Sequence, residues 1–160
     1  LDRDVALKFL PQSLTPTEED RRRFIREAKS AAALSHPNIC TIFNIDEYEG
    51  NPFIIMEHIE GKTLRSIIDG GDLIMEQALS YARQIAGALA EAHESGIIHR
   101  DIKPENIIVD SKGRSKVMDF GLAKLKQGSN ITKTGDMVGT LAYSSPEQIR
   151  GQQVDHRSDL

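Results

Sequence analysis

His99-Arg100-Asp101-Ile102-Lys103-Pro104-Glu105-Asn106 packs an acid, a cation and an amide into one short stretch, between the apolar runs Ile97-Ile98 and Ile107-Ile108-Val109. A polar loop between two strand candidates can converge on one point. Thirteen residues after Asn106, Asp119-Phe120-Gly121 follows another short strand candidate, Lys116-Val117-Met118, so a second carboxylate stands at a strand end where a glycine allows unusual backbone angles. One Asp with one Asn is a hard-oxygen set suited to Mg²⁺. A further Asp beside a lysine suits orienting a hydroxyl next to a charged phosphate. Taken singly, each of these residues reads equally well as a solvated loop charge; taken together and in this order, they do not.

Working outward, residues 121–145 are rich in Gly, Ser and Thr with little periodicity, and loops of that length usually carry function. Upstream, the pattern predicts a long helix from about 74 to 94, with Ala78, Ala82, Ile85, Leu89 and Ala92 facing inward and Gly96 as its stop. A shorter helix is expected around 63–69. Residues 39–48 and 52–59 are β-rich runs separated by Glu49-Gly50-Asn51, a hairpin signal. Before them, Thr15-Pro16-Thr17-Glu18 has capping-box spacing and should start a helix, with Phe24, Ile25, Ala28, Ala31, Ala32 and Leu34 on one stripe and Ser35-His36-Pro37-Asn38 as its end. Val5 to Leu10 reads as a strand ending at Pro11.

The 160 residues are 39% hydrophobic and 28% charged, with 20 Lys+Arg against 24 Asp+Glu for a net charge of −4. This balance excludes disordered and fibrous classes and gives no electrostatic reason to expect nucleic acid as a partner. No run approaches the roughly 18 apolar residues of a spanning helix. The single cysteine, Cys40, can form neither an internal disulfide nor a Cys-based metal cage, and reads as a small buried strand residue. Both termini look cut, so the chain reads as a fragment.

The ordered motifs resemble the eukaryotic-like, Hanks-type serine/threonine protein kinases, bacterial members in particular, over essentially the whole chain. The resemblance implies an α+β, two-lobed fold: a partial kinase domain over 1–160, with a small β-rich N-lobe at 1–57 and a helical C-lobe at 58–160, both incomplete. It implies ATP and Mg²⁺ as cofactors. Val5-Ala6-Leu7-Lys8 looks like the strand whose lysine holds the α- and β-phosphates, and Glu27 matches the helix glutamate that pairs with it. Asp101 is implied as the base or orienting group for the substrate hydroxyl, Lys103 as a stabiliser of charge on the γ-phosphoryl, and Asn106 and Asp119 as the Mg²⁺ ligands. Phe53-Ile54-Ile55-Met56-Glu57-His58-Ile59 matches the hinge, with Met56 as gatekeeper, the backbone of Glu57 and Ile59 bonding adenine, and Ala6 and Ile108 sandwiching the ring.

Residues 119–147 match the activation segment, with Ser145 where the family's usual Ala-Pro-Glu has alanine. Lys103 with Thr140 is the serine/threonine pattern. Thr132 and Thr134 stand where bacterial relatives phosphorylate themselves, and Arg100 is implied as the receiver of that phosphate. Asp136 falls where many eukaryotic relatives carry a phosphorylated threonine, and its carboxylate is expected to supply part of that charge. Ile42, Ala31, Phe120 and His99 match an apolar column, loosely filled at Ala31, and Asp159 matches the acid that anchors its base by bonding the His99 loop. The partners expected are protein Ser/Thr substrates, with dimerisation serving autophosphorylation, a cytoplasmic location, and no membrane segment in this chain. The glycine-rich phosphate loop lies outside the sequence, so the isolated fragment is expected to be poorly stable and inactive. The rival readings are a pseudokinase, opposed by intact Lys8, Glu27, Asp101, Asn106 and Asp119, and a small-molecule phosphotransferase, opposed by the Gly139-Thr140 to Pro146-Glu147 platform.

Overall fold

The computed structural model describes residues 3–9, 17–120 and 142–160. Strand β1 (Val5–Phe9) is followed by helix α1 (Glu18–Ala32), the hairpin β2 (Ile42–Tyr48) and β3 (Asn51–Glu57), strand β4 (Gly61–Thr63), helices α2 (Leu64–Asp69) and α3 (Met75–Glu94), strands β5 (Ile107–Asp110) and β6 (Ser115–Val117), and the short helix α4 (Pro146–Ile149). Two antiparallel three-stranded sheets result, ordered β1-β3-β2 and β4-β5-β6. The α+β class and the two lobes follow the sequence reading.

The local chemistry explains the boundaries. The cap of α1 is Thr17, whose hydroxyl accepts from Asp20 N at 3.1 Å. The helix therefore starts two residues later than the Thr15 spacing implied, with three acidic residues in its first turn, where the helix dipole favours them. Its stripe buries Phe24, Ala28 and Ala31. In the hairpin, Glu49 and Gly50 both take positive φ, as a tight two-residue turn of the right twist requires.

Two readings are corrected. On α3 the buried residues are Tyr81, Ala88, Leu89 and Ala92, with Ile85 packed beside them, while Ala82 is exposed. Ile85, Leu89 and Ala92 face inward as expected and Ala78 is half-buried; at the next turn Tyr81 is buried in place of Ala82. Ile97-Ile98 forms no strand; instead Ile97 N bonds Ala92 O at 2.8 Å, closing the helix end around Gly96.

One core cluster, Phe24, Ala28, Cys40, Ile54 and Met56, lies between α1 and the first sheet. The second joins Ala31, Leu34 and Ile39 to Ala88, Leu89, Ala92, Val117 and Phe120, so it welds the α1 end to the second lobe. Polar bonds reinforce that weld. Asn38 Nδ2 donates to Gln84 Oε1 at 2.9 Å and to Ser115 O at 2.7 Å, and Val117 N donates to Asn38 O. Gly61 is required by close approach: a Cβ there would stand 2.3 Å from Val109 O. Cys40 is buried, and burial pushes its thiol up to about 12, which removes it as a nucleophile at neutral pH.

Candidate active site

The start of the stretch from His99 to Asn106 is anchored through its backbone. Asp159, from a single 3-10 turn at His156–Asp159, accepts from His99 N at 2.8 Å and from Arg100 N at 2.7 Å, while His93 Nε2 of α3 lies 2.8 Å from the same carboxylate. Arg100 takes a φ of +69°, a conformation that strains a side-chain-bearing residue and that these two bonds maintain. Gln148 Nε2, from α4, donates to Arg100 O at 2.6 Å.

His99 is fully buried and forms the inner wall. Asp101 N donates to its Nδ1 at 3.2 Å, so Nε2 carries the proton and donates to Met118 O at 2.7 Å. Both nitrogens are used by a neutral imidazole, consistent with burial lowering its pKa below the ordinary 6.5. Its ring meets Phe120 edge-on at 4.7 Å. The expected neighbours are together, Ala31 and Phe120 buried with Ile42 against them, and the void of about 10 Å³ that they line with Met56 and Asp119 is at most the size of one water, so the filling at Ala31 is tighter than expected.

Asp101 is thereby presented with its carboxylate organised on both oxygens. Lys103 Nζ lies 3.2 Å from Oδ1, and Asn106 Nδ2 lies 3.2 Å from Oδ2 and 2.8 Å from the backbone carbonyl of Asp101. Since Asn106 spends its amide nitrogen on Asp101, its oxygen is left to act as an acceptor. Met118 N donates to Asn106 O at 2.8 Å, which places Asp119 next in line, again at positive φ (+65°). Asn106 and Asp119 thus offer one amide and one carboxylate oxygen from adjacent backbone, a hard-donor pair that fits a Mg²⁺ ion completing its shell with water and phosphate.

The lysine of β1 departs from expectation. Lys8 Nζ is bonded to Asp119 Oδ2 at 2.5 Å and makes no ion pair with Glu27. The Glu27 carboxylate lies 3.7 Å from Arg23 and lines a cavity of about 270 Å³ with Arg26, Ser30, Ile97, Ile98 and Arg100. Glu27 is mostly buried beside Ala28, as the stripe implied, but it faces residues 95–100 rather than β1. Lys8 and Asp119, opposite charges in a partly buried cleft, attract directly.

In the stretch expected as the hinge, Ala6 pairs with Met56 in register, and Met56 is buried with Ala6, Ile59 and Met118 around the first core cluster. Glu57 is pinned by its N–H to Thr41 O at 2.9 Å and by its carboxylate to Lys116 Nζ at 2.9 Å. Ile108, partly buried on β5, pairs with Thr63 and Lys116 in the second sheet. Thr132, Thr134, Asp136 and Thr140 lie outside the described residues. Gln148, Lys116 and Arg65, which bonds Glu105 at 3.0 Å, were not singled out by sequence. Among these only the Ser145-x-x-Gln148 capping spacing gave a local signal.

A family model described as protein kinase domain matches residues 2–160. The chain is 44% identical to the serine/threonine-protein kinase PrkC of Bacillus subtilis (strain 168), with all of this chain and 25% of that protein covered. It is 42% identical to the serine/threonine-protein kinase PknB of Mycobacterium leprae (strain TN), again over its full length and 27% of the relative. A probable serine/threonine-protein kinase of Clostridium perfringens (strain 13 / Type A) is 45% identical over 24% of its length. The chain spans about a quarter of the length of these relatives. It belongs to the protein kinase domain family.

Proposed function

We propose that the protein is an ATP-dependent serine/threonine kinase that moves the γ-phosphoryl of ATP to Ser or Thr hydroxyls of proteins. The observation that carries this is Asp101, whose two carboxylate oxygens are met by Lys103 and Asn106 while Asp159 locks the backbone behind it. An acceptor hydroxyl donates its hydrogen bond to Asp101. Its oxygen bonds to the γ-phosphorus as the bond to the β-phosphate oxygen breaks; the hydroxyl proton passes to Asp101 and ADP departs. Lys103, beside Asp101, offsets charge on the transferring group. Lys8 serves the α- and β-phosphates, with Glu27 as the counter-charge that would hold it there. A magnesium ion held by Asn106 and Asp119 would neutralise phosphate charge. Ala6, Met56, Ile59 and Ile108 supply apolar surface for adenine, and the backbone of Glu57 and Ile59 its hydrogen bonds. The division into lobes at 57/58 belongs to the same reading.

Regulation through Thr132 and Thr134, with Arg100 receiving the phosphate, is supported by the cavity where Arg100 and Arg26 face one space. Autophosphorylation in a homodimer and a cytoplasmic catalytic domain complete the proposal; among the described residues no helix is long and apolar enough to cross a membrane.

The test uses the full-length protein with Mg²⁺ and labelled ATP, wild type beside Asp101→Asn, with phosphosites mapped by mass spectrometry. Label on serines and threonines in wild type only supports the assignment, and label on Thr132 or Thr134 supports the switch. Nucleotide binding without transfer in either protein contradicts it.

A further inference from the structure

Arg65 stands in the first turn of α2, and each of its guanidinium nitrogens has a different partner. Nε donates to Glu105 Oε1 at 3.0 Å, Nη2 to the Tyr143 hydroxyl, and Nη1 lies 3.5 Å from Asp69 Oδ1. Glu105 belongs to the turn that joins Asp101 to Asn106, 40 residues away, and Tyr143 to the segment that leads into α4, 78 residues away. The guanidinium carbon also lies 5.9 Å from the centre of the Tyr143 ring. One rigid fork therefore fixes two distant surface groups relative to each other.

Residues 143–148 reach the catalytic stretch by two tethers. The inner one is partly buried, Gln148 to Arg100 O. The outer one is exposed and runs from Tyr143 through Arg65 to Glu105; the Tyr143 side of it is 45% accessible. Any peptide that brings a hydroxyl to Asp101 has flanking residues that must lie over neighbouring surface, and this flat phenol and guanidinium are such a surface. Resting on the kinase reading above, we propose that Arg65 is a positioning residue for the protein substrate: it holds Tyr143 as a platform at a fixed place beside the catalytic loop and masks the Glu105 carboxylate from basic side chains of the peptide.

Masking matters because Glu105 is exposed and anionic. Without the guanidinium, an exposed carboxylate would stand four residues from Asp101 and attract Lys or Arg in a substrate. A residue with a merely structural role would not alter that preference.

Initial rates would be measured on the full-length protein with two acceptor peptides that differ only in neutral or lysine flanks. Arg65→Ala is expected to raise the KM for the neutral peptide about threefold to fivefold, the upper value of an exposed charged pair, while the KM for ATP stays put. The same variant is expected to favour the lysine peptide over the neutral one, and Arg65→Ala with Glu105→Gln to lose that preference. Tyr143→Phe should raise the neutral-peptide KM by less, and by nothing further when added to Arg65→Ala. Should Arg65→Ala not fold, Arg65→Lys, which keeps a charge on Glu105 but cannot fork to Tyr143, is expected to raise the neutral-peptide KM with no new lysine preference. Equal rises in the peptide and ATP KM values, unchanged flank preference in Arg65→Ala, or additive effects of the Arg65 and Tyr143 changes would each overturn the inference alone. Wild type that transfers to neither peptide would overturn the kinase reading along with it.

Discussion

The catalytic stretch 99–106 and the lysine of β1 are both polar and both central to the proposed chemistry, yet they are held by opposite means. The stretch is fixed by backbone bonds from buried, distant groups, with Asp159 on two amides, Gln148 on a carbonyl and His99 bridging Asp101 to Met118. Lys8 is fixed by its backbone, paired with Ile54 across β1 and β3, but its ammonium stands at the end of a long side chain, 36% exposed, and its partner is Asp119 rather than Glu27. Backbone donors buried without alternatives have one solution, whereas a flexible ammonium chooses among carboxylates at little cost. The proposed base is thus preset and the proposed phosphate clamp exchangeable.

The comparison breaks most visibly at Asp101. Asp101→Asn is expected to lower phosphotransfer by about 10²–10⁴-fold with nucleotide affinity kept, as measured by initial rates beside equilibrium binding. Next comes the anchor: Asp159→Ala leaves two amides without their acceptor in a dry site, and urea unfolding should show a loss of about 2–5 kcal/mol. A smaller effect sharpens the same side. Because burial lowers the His99 pKa, the unfolded chain binds a proton that the native one excludes, so stability rises with pH below 6.5 and is lost as pH falls through that window. Urea midpoints from about pH 8 to about pH 5 should decline on the acid side, and less so in His99→Phe. The smallest effect on stability belongs to the exchangeable side. Glu27→Gln should change unfolding by about 1 kcal/mol or less, since in this arrangement the carboxylate does not fasten Lys8, while phosphotransfer falls about tenfold.

What was legible in the sequence follows the same division. The helices and hairpin could be read because their signals are local: the Thr15 to Glu18 spacing, which placed the start of α1 two residues early, the Phe24-Ala28-Ala31 stripe, the Glu49-Gly50 turn. On α3 only Ala82 was misplaced, because it fits the helical spacing as well as Tyr81 does, and only packing decides which of the two is covered. In the site, Asp101, Lys103, Asn106 and Asp119 came from order and charge type, and the Asp159 anchor from the resemblance. The positive φ at Arg100 and Asp119 left no sequence mark, since neither is glycine. Nor did the partners of Lys8, Gln148 and Arg65, which are set by contacts across many tens of residues.

The most direct test is a pair of crystal structures of the full-length protein, without nucleotide and with Mg²⁺ and a non-hydrolysable ATP analogue. Residues 99–106 should superpose, with Asp159 still on the His99 and Arg100 amides, while Lys8 leaves Asp119 for the phosphates and Glu27. A stretch 99–106 that reorganises when nucleotide binds, or a Lys8 that stays on Asp119 beside bound phosphates, would contradict a preset base and an exchangeable clamp.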